Sequence, residues 1–432
     1  ALLIPVLTVL LGILTPKDAF SPFADSIIFL FLGAFLLAES MQKHGWDKRI
    51  ALFILTKTSF LRSFTRVSFV FALLSFLLSM WVSNSATTAM LCPIALGVCR
   101  AMDEGKQNSL GDQNRTFLLL LVAYSSSIGG IGTPVGSPPN LIAMSMLEKH
   151  SHPISFFEWV AIGLPLAIVM FLLSFAVLSF LFRRKSGDVK DLHLLSAYFE
   201  KQRAALGPLK KSELQVLGCF VFAVIFWTLP GMLTLLFPTD NFVVLLNARL
   251  SPAVVALLAG SLLFFLPVDA DDTRNLSASD LQKIDWSTIL LFGGGLALGK
   301  MLSDSGLASQ LGSLVFGIFP VSSNLFFIFA VALALLFTEV ASNTASASIF
   351  LGILFGILPL PLGTESLGIV LAVTLATSYG FMMPIATPPN AIVFGTGEVH
   401  LNKMIASGFF LNILGLILLF VAFEVFGILR YL

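Results

Sequence analysis

Trp81-Val82-Ser83-Asn84-Ser85-Ala86 and Val340-Ala341-Ser342-Asn343-Thr344-Ala345 interrupt apolar runs in the two halves of the chain with the same Ser-Asn-hydroxyl signature. A second interruption follows each. It is Gly132-Thr133-Pro134 with Ser137-Pro138-Pro139-Asn140 in the first half, and Ala386-Thr387-Pro388-Pro389-Asn390 in the second. Asn, Gly and Pro clusters free backbone groups that lipid cannot satisfy, so at membrane depth they survive only where protein or water meets them. Breaks at matching places in two halves mark the point where discontinuous membrane helices gather a ligand and its ions.

The surrounding chain fits that setting. Of its 432 residues 57% are hydrophobic and 11% charged, against roughly 25% charged in soluble domains. Runs at 163–182, 214–237, 250–268 and 408–429 reach or approach the roughly 20 residues that cross a bilayer as a helix. The alternating ten-residue segments of a membrane barrel are not seen. The expected class is an all-α polytopic membrane protein, with the lipid bilayer as its solvent.

A net charge of +1 says little, but its placement says more. Residues 183–213 carry eight basic side chains against four acidic ones, which puts this loop in the cytoplasm by the positive-inside rule and gives no reason to invoke nucleic acid. The run 269–285, with five Asp, carries no comparable signal. Cys92, Cys99 and Cys219 sit in apolar stretches without metal-ligand spacing and read as small buried hydrophobes. The chain enters an apolar run directly at Ala1, so further native sequence is expected before it.

Residues 31–45, FLGAFLLAESMQKHG, resemble 292–306, FGGGLALGKMLSDSG, and the breaks recur in the same order in both halves. The chain therefore reads as two inverted repeats, 1–185 and 214–432, joined by a basic cytoplasmic linker at 186–213. The first holds membrane segments at 2–14 and 26–42 and a stretch at 46–65 whose cations suit an interfacial helix. A helical hairpin at 67–102, a broken helix at 116–148 and a full crossing at 155–182 follow. The hairpin arms are about 16 residues each, short of the roughly 20 a crossing needs, so the hairpin is expected to be re-entrant with the motif at its tip. The second repeat has a hairpin at 323–358, a broken helix at 367–397 and a last span at 403–430.

Helix N-termini attract anions through free N–H groups and the helix dipole, and Ser and Asn are strong N-caps. Two such tips meeting at the midplane, with donors from Asn84, Ser85, Asn343 and Thr344, suit a molecule with an anionic group at each end. Thr387 and Pro388 complete the expected substrate contacts. Segments 79–92, 124–147 and 374–397 contain no charged side chain, and 337–363 contains only Glu339. Two negative charges left uncompensated in low dielectric are prohibitive, so the counter-charge must be mobile. Hydroxyls and freed carbonyls are hard ligands for a small cation such as sodium. Candidates are Ser79, Ser83, Asn84 and the Gly136 carbonyl beside the first tip, and Thr338, the Ala341 carbonyl, Asn343 and the Ala386 carbonyl beside the second. A cation carried inward gains about 2.3 kcal/mol per charge per 100 mV.

Other residues have plainer readings. Ser125-Ser126-Ser127 and Gly293-Gly294-Gly295 suit close helix packing. Glu39 and Lys300, at equivalent repeat positions, are expected to snorkel or pair in the scaffold, and Glu339 is a candidate for tuning the second cation site. All five His lie at segment ends or in loops, and no His-Glu-x-x-His motif or nucleophile–base pair is present, which argues against an enzyme. A channel would need a continuous polar lining, whereas polarity here is concentrated at two points.

At these residues the chain resembles the divalent-anion/sodium symporter family, carriers of dicarboxylates, citrate or sulfate. The family hallmark is Ser-Asn-Thr in each repeat with accompanying Pro-Pro-Asn segments. The resemblance covers essentially the whole chain. It implies two re-entrant hairpins, two broken helices, a homodimer and a transport domain moving as an elevator. It also implies sodium as co-transported ion, with hairpin-tip Asn and Thr on the substrate carboxylates. Ser85 departs from the family Thr by a lost methyl, which bears on substrate size, and the family's first spanning helix is expected to precede Ala1. The expectation is import of a C4/C5 dicarboxylate with sodium across a cell inner (plasma) membrane. A sodium-independent dicarboxylate exchanger and a sodium-coupled citrate or sulfate transporter stand as alternatives.

Overall fold

The computed structural model describes residues 1–57, 63–103, 112–182, 192–237, 239–268, 273–307, 310, 323–358 and 362–425. The expected cations Arg62, Arg183, Arg184, Lys185 and Lys190 lie outside them, as does the end of the last expected span. Regular structure among the described residues is helical, apart from isolated bridging such as Pro267 with Arg274. Five helical stretches there are long and apolar enough to cross a bilayer: Pro16–His44, Asn84–Met102, Phe156–Leu181, Lys211–Thr234 and Leu401–Glu424. A sixth candidate is the pair Asn241–Arg249 and Pro252–Leu262, bent by 59°.

The elements around the breaks follow from local sequence. Helix α1 (Ser26–His44) starts on an Asp25 cap, whose carboxylate accepts from Ile27 N at 3.0 Å, and stops at Gly45 with φ 72°. That left-handed conformation is one glycine adopts without strain. Helix α2 (Trp46–Leu55) follows at once, at the expected interfacial stretch. Ser63 caps α3 (Phe64–Ser79), residues 80–83 break it, and α4 (Asn84–Asp103) leaves the break. At 20 residues α4 is longer than the arm of about 16 expected, and Pro93 is accommodated inside it. Helix α5 (Asp112–Gly129), an irregular stretch, α6 (Pro138–Lys149) and α7 (Phe156–Leu181) complete the first half.

In the second half α8 (Trp286–Asp304) precedes α9 (Asn324–Thr338), capped by Ser323, and α10 (Asn343–Ile357). Helix α11 (Thr364–Ala376), a break, α12 (Pro388–Gly395) and α13 (Leu401–Phe420) follow in the order of the first half.

Small residues set the closest packing. A Cβ on Gly33 of α1 would stand 2.3 Å from the Ala256 backbone, and one on Gly295 of α8 would stand 2.3 Å from Ser348 Cβ of α10. These are the approaches that small-residue interfaces permit in lipid, as the sequence reading of the Gly triplet requires.

The two halves also interlock through polar contacts. Tyr124 on α5 donates to the Phe381 carbonyl at 2.8 Å, and Arg115 meets Glu398 at 3.1 Å. Charges near segment ends are paired, as expected for Glu39 and Lys300: Lys283 meets Glu39 at 3.1 Å and Lys300 meets Asp18 at 2.9 Å. At the C-terminal end of α1, Lys43 reaches Asp280 at 2.7 Å. Burial pushes the Asp280 carboxyl up, but Lys43, Lys283 and Ser277 outweigh it and hold it well below the usual carboxylate range. One turn on, Arg49 of α2 meets Glu213 at 2.9 Å and donates to the carbonyls of Leu206, Gly207 and Pro208.

Candidate functional site

Each tip is built the same way. Ser83 Oγ accepts from Ala86 N and Ser342 Oγ from Ala345 N, both at 3.3 Å. Serine alone does the capping. The following Asn is the first helical residue, not a cap as the sequence reading had it, and its amide folds back to the hydroxyl five residues earlier. Asn84 lies 2.5 Å from Ser79 Oγ, and Asn343 Oδ1 accepts from Thr338 Oγ1 at 2.9 Å.

The broken helices carry a second shared device. Asn140 Nδ2 donates to the carbonyls of Gly130 and Thr133 at 2.9 and 2.8 Å. Asn390 Nδ2 donates to those of Gly380 and Met383, both at 3.0 Å. Both Asn side chains are fully buried, so each satisfies carbonyls that the break would otherwise leave bare. Beyond this the halves differ. In the first, Thr133 Oγ1 donates to the Met80 carbonyl. In the second, Glu339 accepts from the N–H groups of Phe381, Met382 and Met383 at 2.8, 2.8 and 3.0 Å, and from Asn412 Nδ2 at 2.6 Å. The carboxylate clamps the break to the tip of α9.

Beside each tip oxygens converge. The Asn84 amide stands 2.5 Å from Ser79 Oγ, 3.1 Å from the Ser126 carbonyl and 3.3 Å from the Gly136 carbonyl. Ser126 Oγ donates to the Asn84 carbonyl at 2.8 Å and lies 3.2 Å from Ser79 Oγ. With its nitrogen turned inward the Asn84 amide donates to these groups. With its oxygen inward the cluster becomes an all-oxygen cage of the kind a hard cation stabilises. Beside the second tip, Thr338 Oγ1 also donates to the Thr377 carbonyl at 2.7 Å. A Cβ on Gly380 there would lie 3.3 Å from the Thr338 carbonyl and 3.4 Å from Asn343 Oδ1.

A cavity of about 260 Å³ joins the two tips. Ser83, Asn84, Ser85 and Gly136 line it from the first half, and Ser342, Asn343, Thr344, Ala386, Thr387 and Pro388 from the second. It is smaller than the roughly 300 Å³ at which drug-sized pockets begin, so it suits a ligand of few heavy atoms. Phe31 and Phe35 of α1 and Trp81 supply apolar walls. Asp285 is the only charged side chain among the described lining residues.

The chain matches the family model described as the sodium:sulfate symporter transmembrane region over residues 1–431. It belongs to that family. A sodium-dependent dicarboxylate transporter, SdcS of Staphylococcus aureus, is 32% identical over 96% of this chain and 79% of its own. An uncharacterized transporter of Haemophilus influenzae is 36% identical over 96% of this chain and 84% of its own. Among solved structures, the efflux pump MtrF of Neisseria gonorrhoeae aligns with TM-score 0.53 at 13% identity, covering 96% of this chain and 84% of that one, a likeness of fold alone. Family membership makes the chain a multi-pass membrane transporter rather than an enzyme, with sodium as the co-transported ion.

In this symporter family member, all six residues expected at the substrate line the cavity. The Thr387 hydroxyl, however, caps α12, accepting from Asn390 N at 3.3 Å. Of the expected cation ligands, Ser79 and Thr338 are buried behind the tips in contact with Asn84 and Asn343. The Ser83 hydroxyl is taken up by capping, and Ala341 stays on its turn outside the described cavity lining. Ser126 and Asp285 were missed. A serine inside a Ser triplet on an apolar helix looks like packing until a tip is seen to dock on it. Asp285 was submerged in an Asp-rich run, although Asp three residues before a hydroxyl at a helix start is a cap signature.

Proposed function

We propose that the protein is an elevator-type secondary active transporter that imports a C4/C5 dicarboxylate together with sodium, as a homodimer in a cell inner membrane. In this reading the chain is two inverted repeats (1–185 and 214–432), with re-entrant hairpins at α3–α4 and α9–α10. Substrate meets Asn84, Ser85, Asn343, Thr344, Thr387 and Pro388. Sodium meets Ser79, Asn84, Ser126 and Gly136 on one side and Thr338, Asn343 and Ala386 on the other.

The observation that carries the reading is the pair of oxygen clusters flanking a small cavity whose described lining has no Lys or Arg. A dianion bound there needs cations that arrive with it. A fixed-charge exchanger would need a basic side chain in that wall. The name of the Staphylococcus relative supports a dicarboxylate and the family description keeps sulfate as competitor.

Asp285 in the cavity wall lies two residues from Lys283, which pairs with Glu39 near the C-terminal end of α1. Helix α2 beyond that end is tied by Arg49 to Glu213, at the end of the basic linker. At the opposite end of α1, Lys149 meets Asp25 at 2.6 Å and Ser145 donates to it at 3.1 Å.

Uptake of labelled succinate into proteoliposomes, with and without an inward sodium gradient and with sulfate and citrate as competitors, tests the reading. Sodium-dependent succinate uptake is expected, reduced to background by Asn84→Ala or Asn343→Ala in folded protein. Uptake that ignores sodium but needs internal dicarboxylate would refute symport.

A further inference from the structure

Asp285 stands in the wall of a cavity whose described lining holds no other charge. Its carboxylate is fixed in place: Oδ1 accepts from Thr288 N at 3.0 Å and Oδ2 from Thr288 Oγ1 at 2.5 Å. The nearest basic residue in sequence, Lys283, is already shared between Glu39 at 3.1 Å and Asp280 at 2.9 Å, and Lys43 is committed to Asp280 at 2.7 Å. Among the described residues no ion pair matches the charge of Asp285, and the residue is exposed at the cavity wall.

Capping α8 does not need a charge. Asn or Ser at this position would hold the same backbone N–H about as well. A carboxylate here costs repulsion against every anion that enters through this mouth, and that repulsion scales with the number of charges on the anion.

We propose that Asp285 is a specificity-determining residue that sets the charge limit of the cavity, admitting dianions and disfavouring trianions. The inference rests on the dicarboxylate reading above and adds a mechanism for selecting within polycarboxylates. The two sodium-type cages balance two carboxylates. A third carboxylate has no cage and must lie toward the open end, where α8 begins. There it meets Asp285. A protonated third carboxyl does not, so the discrimination acts on ionisation and not on size.

Equilibrium binding to detergent-purified protein in saturating sodium tests this, with succinate as dianion and citrate as trianion at pH 8. Asp285→Asn keeps the cap and removes the charge, and Asp285→Ser repeats the change with a different shape. Both variants are expected to tighten citrate about fivefold more than succinate, the effect of one extra charge at partly solvated range. Lowering the pH from 8 to 6 is expected to strengthen citrate binding to the wild type, as its third carboxyl protonates, and to do so much less in either variant. Equal changes for both ligands, or none, overturn the inference while leaving the transport reading intact. A wild type that binds neither succinate nor citrate in sodium brings down the transport reading and this inference with it.

Discussion

Gly130 and Gly380 occupy matching places in the two breaks, each supplying a carbonyl to its Pro-Pro-Asn asparagine, yet the same substitution is expected to affect them very differently. A Cβ on Gly130 would lie 2.4 Å from Asn84 Oδ1, 3.0 Å from Asn84 Nδ2 and 2.9 Å from the Gly136 carbonyl, where ordinary contact begins near 3.4 Å. Gly130→Ala must therefore push the Asn84 amide aside by about 1 Å, and that amide is the centre of the first oxygen cluster. A displacement of about 1 Å in a positioned group costs on the order of 100-fold. Around Gly380 the nearest atoms stand at 3.1 Å (Ala386 Cβ), 3.3 Å and 3.4 Å, so shifts of a few tenths of an ångström suffice. Sodium half-saturation of succinate uptake is the assay, with size-exclusion profile and melting temperature as controls for folding. Gly130→Ala is expected to weaken sodium activation about 100-fold, and Gly380→Ala by less than about fivefold. Sodium half-saturation in Gly130→Ala within about threefold of wild type, or greater damage from Gly380→Ala, would refute the cage geometry; a threefold change is well under 1.4 kcal/mol.

Two further outcomes follow from the charged clamps. Glu339→Ala strands three N–H groups and the Asn412 amide, so it is expected to cost about 3–5 kcal/mol. Glu339→Gln, which keeps the shape, should lower the melting temperature less while still weakening sodium activation; thermal melts beside uptake kinetics check both. Asp280, with its carboxyl depressed by Lys43, Lys283 and Ser277, contributes stability that is fully present above the unfolded carboxylate range and lost only as pH falls toward its folded value. Melting of Asp280→Asn should therefore lie below wild type by a constant margin from pH 5 to 8, and a margin that closes within that window would contradict the pairing.

The breaks themselves were legible because helix-breaking residues in a greasy chain have few innocent explanations, and their duplication removed most of those. Residue roles at the breaks were less legible. Ser83 and Asn84 are both good caps by propensity, and only the backbone decides that Ser caps while Asn turns back to Ser79. The Pro-Pro-Asn segments were legible as breaks, but the role of Asn140 and Asn390 as buried holders of backbone carbonyls depends on groups seven and ten residues upstream. Ser126 reaches Asn84 and Asp285 reaches the cavity only through the fold, and the one local signal, the Asp285 cap pattern, announces a helix start and not a cavity wall.

The interlock of the halves also bears on how the chain is made. Tyr124 finds one of its acceptors on Met404, 280 residues later, and Arg115 waits for Glu398. At roughly 5–20 residues per second of synthesis, the first half sits in the bilayer on the order of tens of seconds before these second-half partners exist. During that interval the break is already held by Asn140 and Thr133, while the Tyr124 hydroxyl lacks the second-half carbonyls of Phe381 and Met404. Insertion and folding are thus separated in time, and the nascent first half is the stage at which chaperoning by the insertion machinery matters most.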